Sequence, residues 1–235
     1  MDYVRVVHIS RFSCIGICEL KAYLGLVMGY KPEFREEVWK GIKQHKISAD
    51  IDALKGYKPI SPSELLAQLR NPRTCIELPN ESIRVGFIYG GMRFCGRLDK
   101  LLKLGDRVVV VDEKFVTQER KQMGLHHRYQ LGAYCYGLKF GRVFWKKDTK
   151  FVEIGREIFS KNTLYMRIVE RDINTRKVLG EIEERFKPEE VENALSRFIK
   201  ILREEVEPKT CDEPSICATC EYAYCCPHAI RMKKL

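Results

Sequence analysis

No stretch of the 235-residue chain is apolar over the roughly 20 residues that a membrane-crossing helix needs. The first residues, Met1-Asp2-Tyr3-Val4-Arg5, lack the apolar run of a secretory signal. Internal repeats and low-complexity tracts are also absent, which sets aside repeat architectures and disordered tails. These absences predict a cytoplasmic protein without a membrane partner, in a compartment where thiols stay reduced. The ten cysteines then suggest metal or cluster ligation more than disulfides.

A hydrophobic content of 45% is enough for a substantial core, and the length fits one domain with elaborations or a small appendage. Lys and Arg number 42 against 32 Asp and Glu, a net charge of +10. That balance fits an electrostatic footprint for a polyanion such as nucleic acid, although a solvated Lys/Glu-rich surface accounts for it equally well.

The chain begins with helical segments, one over Cys18–Leu24 and one over Phe34–His45, broken at Gly29-Tyr30-Lys31-Pro32. Ser61-Pro62 opens a further short helix. Strands follow over Ile83–Tyr89, Met92–Leu104 and Arg107–Phe115, separated by the hairpin signals Gly90-Gly91 and Gly105-Asp106. The valine run Val108–Val111 reads as a central strand buried on both faces. A helix over about Arg120–Lys139, strands near Arg142–Trp145 and Leu164–Val169, and a long amphipathic helix opened by Pro188 complete the pattern.

Two strand runs carry the chemistry: Gly96-Arg97-Leu98-Asp99, and Asp112-Glu113-Lys114 at the end of the valines. Side chains alternate along a strand, so Asp112 and Lys114 share a face and Glu113 points away. With Asp99 alongside, the pair of carboxylates and the ammonium suit a divalent cation and hydrolysis of a phosphodiester. On the helix that follows, Gln130 and Tyr134 stand one turn apart, with His126 on the same face. His126 and His127 read as surface residues or DNA neighbours more readily than as ligands.

In order, Gly41–His45, Gly96–Asp99, Asp112–Lys114 and Gln130-Leu131-Gly132-Ala133-Tyr134 resemble the motifs of RecB-like nucleases in the PD-(D/E)xK superfamily. The resemblance implies an α/β fold, a restriction-endonuclease-like mixed central sheet flanked by helices. It also implies that His45, Asp99, Asp112 and the Glu113 backbone carbonyl bind the metal. Lys114 would then orient the attacking water and steady developing charge, with Gln130 and Tyr134 positioning the lysine or the strand. An imidazole ligand suits Mn²⁺ better than Mg²⁺, so activity is expected with both and Mn²⁺ should support it well.

The tail holds Cys217-Ala218-Thr219-Cys220 and, five residues on, Cys226, a C-x₂-C-x₅-C pattern that needs a fourth thiolate. Cys18, Cys14, Cys211 and Cys225 are the candidates, and zinc is the alternative to an iron–sulfur cluster. With Cys18-Glu19-Leu20-Lys21-Ala22-Tyr23-Leu24 upstream, the pattern resembles the CRISPR-associated RecB-like exonucleases (the Cas-four family), departing at Glu19 where that family often has Pro. This resemblance implies a 4Fe–4S cluster on Cys18, Cys217, Cys220 and Cys226, in a small helical lobe formed by both termini. It implies three regions: 1–80, helical, supplying a cluster cysteine and the motif histidine; 81–187, the nuclease core; and 188–235, the last helix and cluster-binding tail. It further implies 5′→3′ exonuclease action on single-stranded DNA, with some endonuclease activity, in CRISPR spacer acquisition beside integrase-complex proteins. A stand-alone repair or viral nuclease, or a catalytically inactive DNA-binding scaffold, are the rival readings.

Around and after the Gln130 helix, Arg120, Lys121, Arg128, Lys139, Arg142, Lys146 and Lys147 interleave with Phe140, Phe144 and Trp145. Cations for phosphates and rings for unpaired bases are what a single strand calls for. For any one of these charges, a solvated surface is the simpler expectation.

Overall fold

A computed structural model describes residues 5–34, 36, 39–40, 42–44, 46–47, 61–78, 82–147, 150–155, 158–211 and 213–232. The motif residue His45 lies outside them. The chain opens with β1 (Val6–His8), the short helix α1 (Ile9–Phe12), a 3₁₀ turn (Ser13–Gly16) and α2 (Glu19–Leu26). The described positions between 36 and 47 are helical. Helix α3 (Pro62–Arg70) is N-capped by Ser61, whose hydroxyl accepts the Glu64 N–H at 3.2 Å.

The strands are β2 (Cys75–Leu78), β3 (Ile83–Tyr89), β4 (Met92–Arg97), β5 (Lys100–Leu104) and β6 (Arg107–Val116), followed by helix α4 (Leu125–Phe140). Strands β7 (Arg142–Lys147), β8 (Lys150–Glu153), β9 (Thr163–Asp172) and β10 (Val178–Arg185) lead to helix α5 (Pro188–Leu202). The sheets are mixed and flanked by helices. One runs β1-β4-β3-β7-β8 and the other β10-β9-β6-β5-β2. The pairs β1–β4 and β6–β9 are parallel and the rest antiparallel.

The expected single strand Met92–Leu104 is two strands in two sheets. Leu98 is buried and its N–H reaches Ile83 O at 3.0 Å, the last bond toward β3. Asp99 then turns the corner, its carboxylate accepting the Glu113 N–H at 3.2 Å. A short side chain that accepts a backbone N–H competes with the ladder, so the sheet breaks there. The acid thus stands at the junction of both sheets.

Helix α4 starts at Leu125, later than the expected Arg120. Gly124 O accepts the N–H groups of His127 and Arg128 at 3.0 and 3.1 Å, whereas the Arg120 N–H is held by Glu170 at 2.7 Å. Along α5, Glu189 and Glu190 sit at the positive end and Lys200 at the negative end. Its stripe of Val191, Leu195, Phe198 and Leu202 is buried. Phe198 closes on Phe12 and Phe94 (ring centroids 5.4 and 5.9 Å), which joins α5, α1 and the first sheet in one core.

Candidate active site

Strand β6 carries Val108–Val111, all buried, to the junction where Asp99 stands. The register Lys100↔Val111 brings the next pair, Asp99 and Asp112, side by side, and the two carboxyls hydrogen-bond each other. Burial and the Asp112 charge push the Asp99 carboxyl well above its ordinary range. Burial also works against ionised Asp112, but Lys114 and the Asp99 hydrogen bond outweigh it and hold that carboxyl below the ordinary value.

Lys114 Nζ lies 2.8 Å from Asp112 Oδ2. Burial disfavours its charged form, but Asp112 and Asp99 more than compensate, so the ammonium is held above its ordinary pKa. Glu113 faces the other way. Its Oε1 accepts from Arg171 Nη2 at 3.0 Å and pairs with Lys100 at 3.3 Å, a structural ion cluster on the far side of β6.

Tyr134 is buried beside the carboxylates. A Cβ on Gly96 would lie 2.6 Å from its ring, so the ring fits only because position 96 is glycine. Burial and the charges of Asp99 and Asp112 push its phenol pKa up, and Gln130 hydrogen-bonds it. Gln130 and Tyr134 thus face the acids from α4.

His127 corrects the sequence reading, because it is 5% exposed rather than on the surface. Its Nδ1 stands 3.9 Å from Asp112 Oδ2, and its Nε2 is 2.6 Å from Arg120 Nη1. An arginine only donates, so Nε2 accepts and the ring proton sits on Nδ1, aimed at Asp112. Arg120 is in turn held by Glu170, which is 0% exposed and lies opposite Lys114 in the β6–β9 register. The sequence reading also missed Glu170; the one available signal is an acid closing the apolar-rich run of β9. Arg128, one of the cations around the Gln130 helix, makes a two-pronged bond to Glu184 at 2.8 and 2.7 Å. Trp145 is core.

Among the described residues, no group of three or more His, Cys, Asp or Glu is arranged to hold a metal ion. The donor set of Asp99 and Asp112 with the Glu113 carbonyl nevertheless fits a hard divalent cation. All are oxygen donors, and Asp112 Oδ2 is buried, with the Lys114 ammonium 2.8 Å away.

Cys18, Cys211, Cys217, Cys220 and Cys226 line one small cavity between the start of α2 and the tail. The Cys217 thiol is pushed up by burial and by its neighbours Cys211, Cys18, Cys226 and Cys220. Cys14 lies apart, donating to Arg11 O at 2.8 Å, and burial pushes its thiol up to about 12. Cys225 bonds Tyr222 O instead. The Glu19 carboxylate binds Arg197 at 2.7 Å and accepts the Lys209 N–H at 2.7 Å, which ties α2 to α5 and to the tail. Cys75 stands exposed on β2, Cys95 is half-buried on β4, and Cys135 is buried in α4.

Among curated proteins none matches the chain. Two similar solved structures are SSO0001, with a TM-score of 0.49, and a Eubacterium rectale protein named as an exonuclease, with a TM-score of 0.47. Each is 12% identical, over 97% of this chain and 88% of the other. Residues 29–227 match the PD-(D/E)XK nuclease superfamily, and the chain belongs to that superfamily.

Proposed function

We propose that the chain is a divalent-metal-dependent DNA nuclease that degrades single strands from the 5′ end. The observation that carries this reading is the Asp99–Asp112–Lys114 constellation at the junction of the two sheets. Asp99, Asp112 and the Glu113 carbonyl would hold the metal. When bound, a divalent cation polarises a phosphoryl oxygen and lowers the pKa of water. Lys114, whose charged form the two acids favour, would supply positive charge beside the phosphate and an anchor for the attacking oxygen. His127, with Nε2 on Arg120 and Nδ1 3.9 Å from Asp112 Oδ2, lines the site beside that carboxylate without bonding it. Tyr134, fixed by Gln130 and by the space at Gly96, walls the acids off from solvent.

The second part of the proposal is a 4Fe–4S cluster on Cys18, Cys217, Cys220 and Cys226. Its support is that these thiols converge with Cys211 on one cavity, where the neighbouring thiols and burial raise the pKa of Cys217. A bound metal group reverses that repulsion. Its work would be structural, joining α2 to the tail. The same cysteine pattern supports the narrower role of trimming DNA ends for CRISPR spacer acquisition. Co-purification with integrase-complex proteins tests that role.

The deciding experiment is cleavage of end-labelled single- and double-stranded DNA with Mg²⁺, Mn²⁺ or EDTA. Products released from the 5′ end with either metal, and none in EDTA, are expected. Cleavage that persists in EDTA, or that survives Asp112→Asn, overturns the reading.

A further inference from the structure

Paired residues in a sheet register project from the same face, so the registers map the side of the first sheet that faces away from the core. Val7, Phe94, Val85, Phe87 and Val143 point inward and are buried. Their neighbours form rows across the opposite face: Val6–Arg93–Ile88, then Cys95–Gly86–Arg142, then Arg97–Arg84–Phe144–Glu153, and finally Lys146–Phe151.

This face is open. Ile88 is 65% exposed, and Phe140, at the end of α4, is 50% exposed. A hollow of about 480 Å³ lies across it, with Gly86 leaving a gap between Cys95 and Arg142. Five of the outward positions are cations: Arg84, Arg93, Arg97, Arg142 and Lys146. The carboxylate among them, Glu153, is bonded to Arg142 at 3.0 Å. Two rings share the face, each under a guanidinium plane: Arg84 sits 4.1 Å over Phe151, and Arg142 sits 5.4 Å over Phe144.

We infer that the outer face of this sheet is a track for single-stranded nucleic acid, which holds the strand on its way to Asp99. Charge complementarity selects a polyanion, and planar guanidinium and phenyl groups give unpaired bases something to stack on. A duplex hides its bases and would use the cations alone. A second copy of this chain, docked by twofold symmetry, would set arginines against arginines. Arg97 ends β4 two residues before Asp99, so one end of the track lies next to the corner where the acids stand. The direction toward Asp99 rests on the nuclease reading; the binding surface does not.

The test is fluorescence anisotropy of the whole chain with a labelled oligothymidylate of about 20 nucleotides in EDTA. Arg84→Glu/Arg93→Glu should bind at least about tenfold more weakly, with a salt slope shallower by about 1.4 for two lost phosphate contacts. Arg93→Gln/Lys146→Gln leaves the ring contacts intact and should show the same direction of loss, with the wild-type thermal melt. Unchanged affinity in both variants overturns the proposal. So does an equal loss on a duplex of the same length, or a wild-type dimer in sedimentation that the variants dissociate. Cleavage of the same strand by wild-type protein with Mn²⁺ is scored separately. No cleavage there overturns the nuclease reading and leaves the binding comparison standing.

Discussion

Burial sets the charge on two adjacent histidines beside the acids. His126 is held down to about 4 by burial, Arg120 and Lys114. His127 is held down to about 3 by burial, its neighbour His126 and Lys114. Both are therefore neutral when folded, whereas in the unfolded chain they take up protons near 6.5. As pH falls below that value the unfolded state binds protons first, so stability drops until the folded values are reached. In EDTA, lowering the pH from about 7 to about 4.5 should remove up to about 5 kcal/mol through this pair, less as solvent screens the partly exposed His126. Thermal melts of His126→Asn/His127→Asn should be flatter over that range; an equally steep variant refutes the assignment. Lys114→Ala should slow single-turnover cleavage by about a hundredfold or more while DNA binding in EDTA stays near wild type. At this scale the sequence is informative where one strand decides the answer. Alternation alone places Asp112 with Lys114 and turns Glu113 toward Arg171. It is silent on His127, because the ring packs against Arg120, which Glu170 of β9 holds in place from a distant part of the chain.

Helix α4 is held close on two sides by glycine. A Cβ on Gly132 would lie 2.5 Å from Val191 of α5, and one on Gly137 would lie 2.8 Å from Val85 of β3. Gly132→Val should cost about 1–3 kcal/mol by forcing the two helices apart. Because Gln130 and Tyr134 ride on that helix, cleavage should fall with it. Urea unfolding and a rate measurement on the same preparation check both; an unchanged midpoint contradicts the close packing. The hairpins at Gly90-Gly91 and Gly105-Asp106 and the stripe of α5 are legible from local pattern. The break of Met92–Leu104 into β4 and β5 is not. Its cause is the pairing of Leu98 with Ile83 and of Asp99 with Glu113, partners that a linear pattern does not identify. Strand β10, with its polar, half-exposed run Val178–Arg185, is likewise unmarked in the sequence. It forms because Glu183 and Glu181 meet Arg167 across the β9 pair.

Across the whole molecule, the chain ends are brought together by Glu19, which joins Arg197 and the Lys209 backbone. The thiols of Cys18 and of the tail then face one cavity. On the cluster proposal the purified protein is brown, and Cys18→Ala should lose the colour. Retention of full colour in Cys18→Ala, with loss in Cys211→Ala, would move the fourth ligand to Cys211. Arg197→Ala should release the Glu19 tether and increase loss of iron on dilution, read as bleaching over time, without altering any thiol.

Features that depend on neighbours a few residues apart are written in the chain itself. They are the face shared by Asp112 and Lys114, the hairpins, the amphipathic α5 and the ordered acid, lysine and glutamine–tyrosine motifs. Features that depend on distant segments closing on each other came from folding. Packing placed Asp99 at the corner of two sheets, buried His127 against Arg120, seated Glu170 beside Lys114, and brought Cys211 to the other thiols. The physical reason is one of range: rotamer, pleat and helix periodicity act within a few residues, whereas burial and the pairing of buried charges are properties of the packed whole.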